Sequence, residues 1–181
     1  MNKEKTNRVL EYFDELFPDA YCELNHESDF QLLVAVMLSA QTTDKKVNQL
    51  TENLFKKYPT VEAVSQASLP ELEQDIKTIG LYRNKAKNLL ALSHVLIEQF
   101  DGIVPSDQKQ LESLPGVGRK RDDNVLTVEK KLCSSIPRNR WNKSHHQFIF
   151  FGRYFCKATN PSCTECKLFD MCKDPIKNKY L

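Results

Sequence analysis

The chain has 181 residues, 40% apolar and 28% charged, which is ordinary for a globular protein and enough for one sizeable core or two small lobes. Five glycines and few alternating Val/Ile/Thr stretches argue against a sheet-rich fold, and the net charge of +2 points to no particular partner. No run approaches the length of a membrane span and the start, Met1 to Asn7, is polar and charged, so the expectation is a cytoplasmic protein with no membrane partner.

Helical spacing then dominates in chain order. Leu10, Phe13 and Phe17 recur before Pro18, predicting an amphipathic helix over roughly 3–17. Ser28 and Gln31 make a capping-box pattern that opens a helix over 29–40. Phe30, Leu33, Val34, Met37 and Leu38 mark one face of it, and so little of its surface is polar that it should lie at the centre of a core. A third helix is expected over about 44–58, with Val47, Leu50, Leu54 and Phe55 inward. Ser68 and Glu71 form a second capping box, with Pro70 tolerated in the first turn. Ile79-Gly80 interrupts the pattern before a long helix from Tyr82 to about Phe100, which Asp101-Gly102 ends. Ser106 is a candidate cap for a short helix ending near Leu114, and Phe148, Phe151 and Phe155 form a core-facing stripe on a helix from about Lys143. The fold class expected is all-α.

Charge is unevenly divided along the chain. Residues 1–114 hold 12 Lys/Arg against 18 Asp/Glu, whereas residues 115–181 hold 14 against 6. Such asymmetry fits either a polyanion bound by the second segment or a solvated basic face. Leu114-Pro115-Gly116-Val117-Gly118-Arg119-Lys120 sits at the start of that segment. Two glycines one residue apart between helices permit positive φ and close backbone approach, and a helix starting after the turn offers unpaired N–H groups to a phosphate. This reads as a helix-hairpin-helix at about 107–127 that grips a DNA backbone without reading its sequence, the alternative being an ordinary interhelical turn with Val117 as an apolar plug.

Cys156, Cys163, Cys166 and Cys172 follow a C-x6-C-x2-C-x5-C spacing, with only Cys22 and Cys133 elsewhere. In a reducing compartment four thiolates in one short loop are expected to hold a metal centre rather than form disulfides. All-sulfur ligation suits zinc or an iron–sulfur cluster, and spacing alone does not separate the two.

Taken together, the chain resembles the endonuclease III family over nearly its whole length. Leu38-Ser39-Ala40-Gln41-Thr42-Thr43-Asp44 and Ile79-Gly80-Leu81-Tyr82-Arg83-Asn84-Lys85-Ala86 are similar to two family segments, as are the hairpin, His145-His146, and Phe151-Gly152-Arg153-Tyr154. The resemblance implies a helix-hairpin-helix DNA glycosylase fold with a DNA cleft between a helical-barrel lobe (21–131) and a cluster lobe (1–20 plus 132–181). It also implies a [4Fe–4S] cluster on the four cysteines, with zinc the less favoured alternative. The implied activity is removal of oxidised pyrimidines from double-stranded DNA and cleavage at abasic sites by β-elimination, by a monomer. Gln41 would fill the space left by an extruded base, Leu81 would wedge the opposite strand, and Gly116, Val117, Gly118 and Arg119 would hold the backbone. Lys120 matches the family nucleophile, whereas the adenine-specific branch generally lacks a lysine there.

One family element has no counterpart. The family carries an aspartate in a Val-Asp-Thr-His-type stretch well downstream of the lysine, but here Lys120 is followed at once by Arg121-Asp122-Asp123-Asn124-Val125-Leu126-Thr127-Val128-Glu129, which resembles what normally lies beyond that stretch. A block is missing, the barrel lobe is incomplete, and base removal is expected to be impaired. The alternatives are a non-catalytic DNA-binding iron–sulfur module or a non-functional truncated product. Loss of the block is also expected to expose apolar surface on the helix near Phe30–Leu38, and to leave residues 121–131 with two conflicting roles.

Overall fold

The computed structural model describes residues 3–118 and 123–179, with side chains described outside 123–126. Among the described residues there is no strand, and the chain divides into two compact units, one of residues 23–120 and one of residues 1–22 with 121–181. Residues 123–131, part of the stretch for which the sequence leaves two destinations open, group with the terminal segments.

The 23–120 unit is built from α2 (Asp29–Ser39), α3 (Asp44–Lys57), α4 (Val61–Ser65), α5 (Leu69–Ile76), α6 (Tyr82–Phe100) and α7 (Gln108–Ser113). The starts of these helices follow the local chemistry of orphan N–H groups. Ser28 accepts from the Gln31 N–H at 3.2 Å, while the Gln31 side chain reaches back to Glu27 rather than to Ser28. The Ser68–Glu71 box is reciprocal as expected, with Pro70 in its first turn. α4, capped by Thr60, has no counterpart in the sequence reading, because five residues give no readable period. α7 is capped by Asp107, which accepts from the N–H groups of Lys109 and Gln110, and not by Ser106, since the carboxylate one residue on reaches both donors.

α6 is the spine of this unit and packs on α2, α4 and α5. Its Ala86, Leu89, Leu92 and Leu96 are fully buried, along with Leu38, Val47, Leu72 and Ile76 from its neighbours. The expected exposure of α2 does not occur. Phe30, Leu33, Val34, Ala35, Met37 and Leu38 are all buried, and Val36 is the exposed apolar residue of that helix. α3 and α6 pack against it and cover the rest.

The other unit contains α1 (Lys3–Leu16), α8 (Asp123–Ser135) and α9 (Trp141–Phe150), followed by a wide turn over Phe151–Phe155. Tyr12, Phe13 and Leu168 form its core, with Phe151 and Phe155 packed against them. The aromatic stripe is therefore core-facing, although Phe148 meets Phe13 edge to face from a partly exposed position. Part of the exposed apolar surface of this unit lies at a groove between α8 and α9 that includes Val128, Trp141 and Phe148. Asp14 on α1 joins Arg140, Lys143 and Gln147 of the α9 region. Burial works against ionising Asp14, but hydrogen bonds from Gln147 and Lys143 and the charge of Arg140 outweigh it and hold the carboxyl below its ordinary value of 3.8.

Two outcomes follow from this packing. Leu89→Ala, which empties the centre of α6, is expected to destabilise the fold by about 2–5 kcal/mol in chemical denaturation. The stabilisation from Asp14 should be complete above its unfolded value of 3.8 and be lost as pH falls through the lower folded value, so Asp14→Asn is expected to flatten the acid limb of a pH–stability curve.

Candidate functional site

Two turns in the 23–120 unit hold non-glycine residues in the left-handed region. Gln41, just past the end of α2, has φ 58°, and Leu81, just before α6, also has φ 58°. The other described non-glycine residues with positive φ are Asp101 and Asn160, whose short polar side chains tolerate that region. Gln41 and Leu81 have no such excuse, and each conformation costs roughly 1–3 kcal/mol unless its surroundings enforce it. Both residues are exposed, Leu81 by 58%, so apolar packing does not enforce them.

Lys85 bonds residues on both sides of Gln41 and lies on the first turn of the helix that Leu81 precedes. Its ammonium donates to Leu38 O at 2.8 Å, Ala40 O at 2.7 Å and Thr42 Oγ1 at 3.2 Å. An ammonium has three donors, and all three are used. The Lys85 backbone N–H meanwhile donates to Leu81 O at 3.0 Å. Its side chain is buried, and burial pushes its pKa below the ordinary lysine range. Lys85 lies in a segment singled out from the sequence, but no role attached to it there. Its position one turn beyond Leu81, next to buried Ala86, was the available signal.

The hairpin turn docks on the same two helices. Gly116 has φ 80°, and a Cβ there would lie 2.8 Å from Met37 Sδ of α2 and 3.0 Å from Asn88 Cβ of α6. The Val117 N–H closes the turn on Leu114 O at 3.1 Å, and Leu114 is buried. Val117 is half-buried, while a Cβ on Gly118 would meet open space. The turns bearing Gln41, Leu81 and Gly116 thus converge on the C-terminal part of α2 and the N-terminal part of α6. Arg119 and Lys120 lie outside the described residues.

In the other unit the four cysteines line one cavity of about 220 Å³, together with Phe151, Phe155, Leu168 and Phe169. Each is delivered by a local device. The Cys156 N–H closes the wide turn on Phe151 O at 2.7 Å, the Cys166 N–H bonds Cys163 O at 3.2 Å, and the Cys172 N–H bonds Leu168 O at 3.0 Å. Wide turns of this kind recur at functional sites. The loop is strapped to α1 by Arg8, whose Nη1 and Nη2 grip the Asp170 carboxylate at 2.7 and 2.8 Å while Nη2 also donates to Lys167 O. Lys167 in turn pairs with Glu15, and Lys177 donates to Cys172 O at 2.7 Å. All four thiols are free. Burial, followed by the neighbouring cysteines, raises the Cys156 thiol, and burial raises that of Cys166. Among the described residues no three His, Cys, Asp or Glu side chains converge closely enough to hold a metal ion as they stand. The donor set, four thiols on one largely apolar cavity, fits a thiophilic centre. His145 and His146 stack edge to face on α9, and burial lowers His146. Cys22 and Cys133 are partly buried. Among the described residues no helix is long and apolar enough to cross a membrane.

Comparison with known proteins agrees with this arrangement. Residues 34–149 match the HhH-GPD superfamily of base excision DNA repair proteins. The chain is 42% identical to endonuclease III of Bacillus subtilis (strain 168), with 98% of this chain and 95% of that protein covered. That alignment runs over 209 positions against 181 residues here, so at least 28 of its positions have no residue of this chain. The fold is similar, with a TM-score of 0.92 and 40% identity, to a non-covalent endonuclease III–DNA complex, covering 100% of each chain. The same score and identity relate it to a trapped endonuclease III–DNA covalent intermediate in an estranged-adenine complex, with 99% of each chain covered.

The two glycines of the hairpin should respond differently to substitution. Gly116→Ala is expected to lower stability by roughly 1–3 kcal/mol, since it combines positive φ with a clash. Gly118→Ala is expected to stay within about 0.5 kcal/mol of the parent in the same thermal unfolding measurement.

Proposed function

Since the chain belongs to the HhH-GPD superfamily of base excision DNA repair proteins, we propose that it binds damaged duplex DNA as a cytoplasmic monomer, removes oxidised pyrimidines, and cleaves abasic sites by β-elimination, with base removal the weakened step. The observation that carries this reading is the convergence of the hairpin turn with the strained turns at Gln41 and Leu81. A damaged base must leave the stack before any chemistry, at a cost of a few kcal/mol. Side chains held at exposed turns beside a backbone-gripping hairpin meet that need: Gly116, Val117, Gly118 and Arg119 engage phosphates, Gln41 enters the vacated space, and Leu81 parts the opposite strand.

Lys120 is the nucleophile in this reading. Its amine attacks the sugar C1′, expels the base, and forms a Schiff base through which the strand is cleaved by β-elimination. A free lysine has a pKa near 10.4, so the attacking neutral amine needs positive neighbours, and Arg119 and Arg121 supply them in sequence. Expulsion of a base calls for a second, acid–base group, and the family aspartate for that task has no counterpart. The alignment positions without a residue here accord with a lost block. A preformed abasic site has no base to expel, so the lyase step depends less on that carboxylate than base removal does.

Cys156, Cys163, Cys166 and Cys172 would hold a [4Fe–4S] cluster. When bound, such a cluster cross-links a loop made of short turns and contributes folding free energy. Arg8, Lys167 and Lys177 orient that loop from its two flanks.

Two measurements test the proposal. Borohydride added to the protein on abasic-site duplex should trap a covalent adduct that Lys120→Ala abolishes. Excision of an oxidised pyrimidine should run slower than abasic-site cleavage by about 10²–10⁴, the worth of a positioned acid–base group. Salt-sensitive duplex binding with no adduct would instead establish a non-catalytic DNA-binding module. Iron content and visible absorbance, lost in Cys166→Ser, test the cluster independently of activity.

A further inference from the structure

We infer that Lys85 is a positioning residue that locks the Gln41 and Leu81 turns to each other, so that the two side chains enter DNA as one device. The inference rests on the roles proposed above for Gln41 and Leu81, and adds a residue to which no role attaches in the sequence motifs. Its basis is geometric. The Lys85 ammonium bonds carbonyls on the N-terminal side of Gln41, Leu38 O and Ala40 O, and the hydroxyl on its C-terminal side, Thr42 Oγ1. The same residue's backbone N–H bonds Leu81 O. A single buried side chain on the first turn of α6 therefore brackets one strained residue and pins the start of the helix that the other strained residue, Leu81, caps.

The choice of lysine is informative. Leu38 O and Ala40 O belong to the end of α2, where carbonyls have no intrahelical partner and carry partial negative charge. A neutral donor would satisfy one or two of them, whereas an ammonium satisfies both and still reaches Thr42. All three partners are neutral oxygens, so no carboxylate competes for the cation. Moving the start of α6 relative to the end of α2 would break these bonds, so the Gln41 turn and the helix start that follows Leu81 are held in a fixed relation.

The test reads the state of the DNA and does not require catalysis. The full-length protein is saturated onto a duplex carrying a tetrahydrofuran abasic analogue opposite 2-aminopurine, whose fluorescence rises when it is unstacked. Lys85→Met keeps the stem and removes the three bonds. It is expected to keep duplex affinity through the hairpin but to lose most of the fluorescence gain at saturation, as Gln41→Ala and Leu81→Ala do. The Lys85→Met/Gln41→Ala double variant should lose little more than either single one. A full gain in Lys85→Met alongside losses in the Gln41 and Leu81 variants would overturn the positioning role while leaving their roles intact. A full gain in both Gln41→Ala and Leu81→Ala would defeat those roles, and with them the inference. Should circular dichroism find Lys85→Met unfolded, Thr42→Val decides. It removes one acceptor at constant size, so a reduced gain supports the fastening and an unchanged gain rejects it.

Discussion

The 23–120 unit turns on an ammonium group with no carboxylate partner. Lys85 is buried among the last carbonyls of α2 and spends all three of its donors there. Burying a cation is costly unless every proton finds an acceptor, and a helix C-terminus supplies acceptors that are otherwise orphaned. The interaction serves two needs together. It satisfies the end of one helix and anchors the start of another. Between those ends stand the two residues whose backbone is least comfortable, Gln41 and Leu81.

The hairpin makes sense against the same pair of helices. Gly116 fits between Met37 and Asn88 because it has no Cβ, and its positive φ turns the chain there. Gly118, one exposed step further on, has open space around it and ordinary φ. The first glycine is therefore required by the fold, whereas nothing in the fold crowds the second. Such a division suits an element that must be rigid where it meets its own protein and bare where it meets a phosphate backbone.

The other unit solves a different problem. Its cysteine loop consists of short turns with little apolar burial of their own, so order is imposed from the side. Arg8 and Glu15 of α1 hold Asp170 and Lys167, Tyr12 and Phe13 supply the core, and Lys177 closes on the backbone of Cys172. α1 is distant from the cysteines in sequence and is nevertheless their main support. This second unit places four thiols on one cavity, positioned by the hydrogen bonds of short turns rather than by long helices.

Several helices, the Ser28 and Ser68 caps and the clustering of four cysteines were legible in the sequence because they are local. Hydrophobic period, a serine three residues before a Gln or Glu, and cysteines within one loop all act over a few residues, and they put α1, α2, α3 and α6 within a residue or two of their observed bounds. The likeness of Leu38–Asp44 and Ile79–Ala86 to a known family identified Gln41 and Leu81, but nothing local foretold that their backbones are left-handed. Nor could it, since both residues prefer other conformations in isolation. The tertiary structure alone decided two things: that most of α2 stays covered, and that the Lys85 ammonium bonds helix-end carbonyls 47 and 45 residues earlier in sequence. Each depends on contacts between segments that approach only after folding, and an ammonium finds carbonyls from a distant helix end only when packing has brought that end beside it.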